Sequence, residues 1–104
     1  MEAGKLRHII TIQILDEDEA WTDYFTCFAQ ANGLGGKEYH ALSSEQAQEN
    51  VDFLIRYVEV LADLKPQSTR IIFMDKSYDV VSIDNFMFRN QSLKLRAVMS
   101  HGHQ

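Results

Sequence analysis

Side chains alternate in character along most of this sequence, and that alternation leaves few folds open. In Arg7–Leu15 (RHIITIQIL), Ile10, Ile12 and Ile14 fall on one face with His8, while Thr11 and Gln13 fall on the other. Successive side chains of an extended backbone point to opposite faces, so a period of two marks a half-buried strand. Trp21–Ala31 (WTDYFTCFAQA), rich in aromatics, reads as a second strand. Val51–Leu61 (VDFLIRYVEVL) reads as a third, with Phe53, Ile55 and Tyr57 on one face and Arg56 on the other. Arg70–Met74 and Tyr78–Phe86 read as a hairpin about an Asp75-Lys76-Ser77 turn. Leu93–Met99 ends the series, its Leu93, Leu95 and Ala97 opposing Lys94 and Arg96. Turn signals lie between the strands: the acidic run Asp16–Glu19, the loop Lys65–Ser68 with the single proline, and Arg89–Ser92. Six short strands so punctuated predict a mainly β domain, a small antiparallel barrel or sandwich.

One stretch breaks the pattern. Residues 32 to 51 (NGLGGKEYHALSSEQAQENV) carry three glycines in four positions, Gly33, Gly35 and Gly36, then a polar run. Structureless connections longer than about 12–15 residues are uncommon in compact domains and are usually functional or disordered. The glycines free the backbone to take positive φ and leave the barrel. Ser43 followed by Gln46 fits a capping box, which allows a short helix over Ser44–Glu49. Two readings stand at this point: an excursion without a role, or a segment that orders against another molecule.

Composition narrows the function classes. A chain of 104 residues and 12.0 kDa is expected to form one domain with one modest core. No apolar run approaches the roughly 18 residues that span a bilayer, so no membrane role is expected. The opening MEAGKLRHII has neither the apolar core nor the cleavage site of a signal peptide, and a cytoplasmic location is expected. The net charge of −5 is uneven: residues 1–50 carry three Lys/Arg against nine Asp/Glu, residues 51–104 seven against six. Such a balance argues against binding DNA through phosphate neutralisation. The run Asp16–Glu19 reads as a solvated turn or, more sharply, as an acidic surface to which DNA does not stick.

Catalytic chemistry finds little to use. Cys27, the only cysteine, lies among Phe25, Phe28 and Ala29 and reads as a buried, inert thiol, since no base stands near it in sequence. The His101-x-His103 pair has no further ligand at metal-site spacing, and no metal or other cofactor is expected. Gly33-x-Gly35-Gly36-Lys37 lacks the spacing of a phosphate loop and the Ser or Thr that would follow its lysine. Trp21, Tyr24, Phe25 and Phe28 fit a single-stranded nucleic-acid platform, but at strand spacing they are expected to be core. No enzymatic activity is expected.

Several local patterns occur in a telling order. Leu6-Arg7-His8-x-Ile10-Thr11-Ile12-Gln13 comes first, then Trp21 after an acidic turn, then Gly36-Lys37-Glu38 and a polar segment with Ala41 and Ala47. Ile55-Arg56-Tyr57, Arg70-Ile71, Tyr78–Ile83 and an alternating Leu93-x-Leu95 strand follow. Over roughly residues 5–99 the chain resembles the head-closure, or head–tail joining (stopper), family of tailed bacteriophages. It departs from the family at two turns that often hold glycine, where this chain has Glu19-Ala20 and Asp75-Lys76-Ser77.

The resemblance implies a β-barrel subunit that forms a ring with copies of itself below the portal and its adaptor. That ring closes the channel after packaging, retains double-stranded DNA without sequence-specific binding, and offers a docking surface to tail proteins. It implies assembly in the host bacterial cytoplasm, from a phage or prophage genome, and residence at the head–tail interface of the virion. It also implies that the insertion between strands two and three is the ring-interface and gate segment: Gly33, Leu34, Gly35, Gly36, Lys37, Glu38, Tyr39, His40 and Leu42. Arg56 and Arg70 are candidates for ion pairs between subunits, against the more ordinary reading of surface pairing within the chain. Met1–Lys5 and the tail from Ser100 are expected to order on assembly. The alternatives are a tail-terminator or tail-tube-related ring protein, or a small β-barrel module binding nucleic acid or peptide.

Overall fold

Alternation of apolar and polar side chains gives each strand one face to bury, and here the sheet closes on itself around that face. The computed structural model describes residues 8–33, 50–85 and 91–100. Six strands run β1 (His8–Leu15), β2 (Trp21–Asn32), β3 (Asn50–Arg56), β4 (Thr69–Phe73), β5 (Lys76–Asn85) and β6 (Ser92–Met99). They pair antiparallel around a closed barrel in the order β1-β2-β3-β6-β5-β4. Closure removes the exposed sheet edges through which strands aggregate. The helix expected over Ser44–Glu49 lies outside the described residues.

The inward set is close to that expected. Ile10 and Ile12 from β1, Val51, Phe53 and Ile55 from β3, Ile71 and Phe73 from β4, and Leu93, Leu95 and Ala97 from β6 are buried, as are Ala29 and Ala31 of β2. Phe53 meets Phe73 edge-on at 5.2 Å and Tyr78 at 5.7 Å, forming an aromatic centre that His8 extends by an edge contact with Phe73 at 5.4 Å. Each such pair adds about 0.5–1.5 kcal/mol beyond the area it buries. Outside, Arg96 of β6 grips Asp52 of β3 through two hydrogen bonds, Nε to Oδ1 at 3.0 Å and Nη2 to Oδ2 at 3.2 Å, across the register that pairs them.

Three local expectations need correction. The third strand does not continue to Leu61; it ends at Arg56 and gives way to a 3-10 turn over Glu59–Leu61. Tyr57 there donates its backbone N–H to Gln91 O, and Leu61 turns inward to a relative exposure of 2%. Burying Leu61 in the barrel's end outweighs further pairing, because β2 has already left β3: their ladder holds only Gln30–Asn32 against Leu54–Asp52. The β4–β5 turn is Met74-Asp75, not Asp75-Lys76-Ser77, with φ of 52° and 65°. Two positive φ values make a type I′ turn, the hairpin connection whose twist suits its strands. That conformation usually takes Asn-Gly, so the sequence carried no signal for it. The third lies in β2, whose aromatics do not all enter the core.

Other turns behave as their chemistry dictates. Asp16 folds the acidic turn around itself, its Oδ1 accepting from the backbone N–H of Asp18 and of Ala20, both at 2.9 Å. Thr69, a buried polar side chain, donates its hydroxyl to Lys65 O at 2.6 Å and is thereby satisfied. Ser100 is fixed to β5 by its N–H on Ser77 O and its hydroxyl on Asp79 Oδ1, both at 2.9 Å.

Candidate functional site

The two arginines singled out in the sequence meet different fates. Arg70 sits on the outer face of β4, half-buried. Its Nε donates to Gln13 Oε1 at 2.8 Å, and Gln13 Nε2 in turn donates to Asp23 Oδ1 at 2.8 Å. Its guanidinium carbon lies 4.7 Å from the centroid of the Trp21 ring. Arg70 thus fastens β4, β1 and β2 within one chain. Arg56, in contrast, is exposed at the end of β3 and bonds to no side chain among the described residues.

Arg56 forms one wall of a shallow groove of about 190 Å³, whose other walls are Phe25, Cys27, Phe28 and Val58. Here the expectation that Trp21, Tyr24, Phe25 and Phe28 are core fails. Phe28 is 55% exposed and Tyr24 37%; Phe25 packs against the core only in part, and Trp21 lies outside under Arg70. The cause is a bulge. Ile12 pairs with Phe25 but Gln13 pairs with Asp23, so Tyr24 is an extra residue in β2 that shifts the phase of the strand. Beyond it Phe25, Cys27, Ala29 and Ala31 face inward and Phe28 faces out. Two adjacent aromatics, Tyr24-Phe25, were the available hint, since strict alternation cannot bury both.

The exposed apolar side chains gather on this side of the barrel. Ile9, 60% exposed, stands opposite Phe28 in the β1–β2 register. Tyr24 donates its hydroxyl to Val60 O at 2.6 Å, drawing exposed Val58 and Val60 to β2. The β1–β4 register, with Thr11 opposite Ile72, carries exposed Met74 toward Ile9. Of seven large exposed hydrophobic residues among those described, six belong to this band. Val81, the seventh, is itself an extra residue, the bulge between Val80 and Ser82 on β5. Exposed apolar side chains gathered on one part of a barrel make it the candidate surface for another molecule.

Nothing in the described residues assembles a reaction centre. Burial pushes the Cys27 thiol up to about 11, which leaves it protonated and unreactive. No group of three or more His, Cys, Asp or Glu side chains could hold a metal among the described residues. The larger hollow, about 460 Å³ beside Leu61, is lined by Tyr57, Leu64, Pro66, Ile83 and Leu93, and its lining brings no acid, base and nucleophile together. Of the predicted gate segment, Gly33 is buried at the end of β2. Leu34, Gly35, Gly36, Lys37, Glu38, Tyr39, His40 and Leu42 lie outside the described residues, as do His101 and His103.

The chain as a whole is similar to a known family. Residues 1–99 match the family described as phage head completion protein. The chain belongs to that family. A head completion protein acts in the assembly of the phage head, and membership agrees with the head-closure resemblance of the sequence. The fold is similar to that of a protein from Shigella flexneri 2a whose solution structure is known, with a TM-score of 0.68 and 25% identity, over 99% of this chain and 100% of that one. No curated protein sequence matches. Among the described residues no helix is long and apolar enough to cross a membrane.

Proposed function

We propose that this head completion protein forms a ring below the portal and its adaptor, closes the channel after packaging and presents a surface to which the tail docks. The observation that carries the reading is the apolar band from Met74 and Ile9 through Phe28 to Val58 and Val60, on a barrel that has no need of a partner to complete its core. A closed barrel polymerises through side-chain surfaces, and a small subunit gains its remaining stability from the contacts it makes with neighbours. The channel is closed sterically. The acidic balance of residues 1–50 keeps the genome from adhering to the ring. The segment Gly33–Leu42 is the gate and part of the ring interface; it is inserted between neighbouring strand ends, near the pair Asn32 and Asp52. In this reading no catalysis takes place.

The test uses DNA-filled, tailless heads made without this protein. Purified chain is added and nuclease-accessible DNA is followed over time. Co-sedimentation with heads and an end to leakage are expected. Continued leakage with no binding rejects closure, and binding to tail-tube protein instead would place the ring in the tail.

A further inference from the structure

We propose that neighbouring copies of this chain meet face to back: the band centred on Phe28 on one barrel docks against the outer face of β5, centred on Val81, on the next. This inference rests on the ring proposed above and names the two surfaces that build it.

Three observations point to a second copy as the occupant. The first is position. In the closed order β1-β2-β3-β6-β5-β4, β2 and β5 lie across the barrel from each other. A ring built from one repeated contact is heterologous: each subunit offers one surface to the neighbour ahead and a different one to the neighbour behind. Those two surfaces must lie on nearly opposite sides of the subunit if the chain of contacts is to close around a wide channel. A band and a counter-surface on the same side would make a pair instead.

The second observation is the distribution of exposed apolar side chains. Six of the seven belong to the band, and Val81, at 52% exposure, is the one that lies elsewhere. It is there because β5 carries an extra residue between Val80 and Ser82, and the bulge holds the isopropyl group outward. Tyr24, the corresponding extra residue of β2, lies in the band. Both departures from regular pairing therefore turn a hydrophobic side chain to the outside, one on each proposed surface.

Charge is the third. The band ends at Arg56, which has no side-chain partner among the described residues, with exposed Glu59 three residues further along. The β5 face carries Asp84, also without an ion pair among the described residues, and Lys94 opposite it on β6. Each surface thus offers, beside an apolar centre, a cation and an anion that form no ion pair among the described residues. Arg56 against Asp84 and Glu59 against Lys94 bring opposite signs together. Two copies of the same surface, related by a two-fold axis, use that surface up in a closed pair and leave Val81 and Asp84 uncovered, so they cannot extend to a ring. Arg96, the other cation near Val81, is already held by Asp52 and is not needed for the contact.

The test is cross-linking on assembled heads. Phe28→Cys and Val81→Cys are made singly and together in a Cys27→Ala background and bound to DNA-filled heads before oxidation. The double variant is expected to give a ladder of covalent multimers. A mixture of the two single variants is expected to give dimers, and either single variant alone none. Dimers from Phe28→Cys alone would show a symmetric contact and overturn the proposal. A second measurement uses charge: Arg56→Asp and Asp84→Arg each lower head-bound protein at least tenfold, and the double reversal restores it. If all of these variants bind heads as the unmodified chain does and no multimers form, the surfaces are wrong while the ring survives. If the unmodified chain itself fails to bind heads, the ring reading falls first and this inference with it.

Discussion

Arg70 lies over the Trp21 ring at 4.7 Å while its Nε donates to Gln13 Oε1 at 2.8 Å, so a single side chain ties three strands together on the outside of the barrel. The guanidinium is suited to both tasks because its plane stacks on a ring while its edge donates. Arg70→Ala is expected to lower stability by about 2–4 kcal/mol, the sum of about 0.5–1 for the cation–π contact and about 1.5–3 for one charge-assisted hydrogen bond. Arg70→Lys keeps the charge but recovers only part of the loss. Urea denaturation of Arg70→Ala, Trp21→Leu and the double variant checks this, with a coupling energy of about 0.5–1 kcal/mol expected between the two.

The β4–β5 turn holds Met74 and Asp75 at φ of 52° and 65°, and the acidic turn holds Glu19 at 61°. A non-glycine residue in this region costs about 1 kcal/mol. Glycine, which has no Cβ, adopts this region without that cost. Asp75→Gly and Glu19→Gly are each expected to raise the melting temperature by about 4–8 °C per kcal/mol recovered. A thermal scan decides, and a fall in melting temperature would show that the side chains contribute more than the strain costs.

Phe53 has no exposed surface and contacts both Phe73 and Tyr78. Phe53→Ala is expected to cost about 3–5 kcal/mol, enough to leave a domain of this size partly unfolded. Phe53→Leu should be milder. Near-ultraviolet circular dichroism and urea midpoints distinguish the two.

Burial raises the Cys27 thiol to about 11 from an ordinary 9.0. The folded state therefore favours the protonated thiol. Its contribution to stability is fully present below pH 9 and is lost as pH rises from 9 to about 11. Other groups titrate in the same window, so the measure is the difference between the unmodified chain and Cys27→Ala, which should lack this part of the decline. Reaction of the native thiol with a disulfide reagent at pH 8 should be about a hundredfold slower than in urea.

Deletion of Gly35–Gln48 removes most of the inserted segment while leaving the strands it joins. The β2–β3 and β3–β6 ladders use none of the deleted residues. Circular dichroism is expected to show a folded β-domain, and heads bearing the shortened protein are expected to leak DNA. Retention equal to that of the intact chain would remove this segment from the closing mechanism.

By itself the sequence determined which side chains face inward wherever alternation is unbroken: Ile10 and Ile12, Phe53 and Ile55, Leu93 through Ala97. Period-two patterning is local, so one strand suffices to reveal it. It also determined family membership, because the motifs that carry it lie along the chain. Tertiary structure decided what depends on neighbours. Two bulges, at Tyr24 and Val81, shift the phase of β2 and β5, so that Phe28 turns outward while Ile83 turns toward the core. The doublets Tyr24-Phe25 and Val80-Val81 hinted at a break, but only the opposing strand fixes where the extra residue goes. The end of β3 at Arg56 was hidden for a similar reason: Val51–Leu61 is apolar enough to continue as strand, and only the open end of a closed barrel makes Leu61 more favourable inside. Closure itself, and with it the placement of the Phe28 band across from Val81, arises from pairings between residues far apart in sequence, which no local pattern encodes.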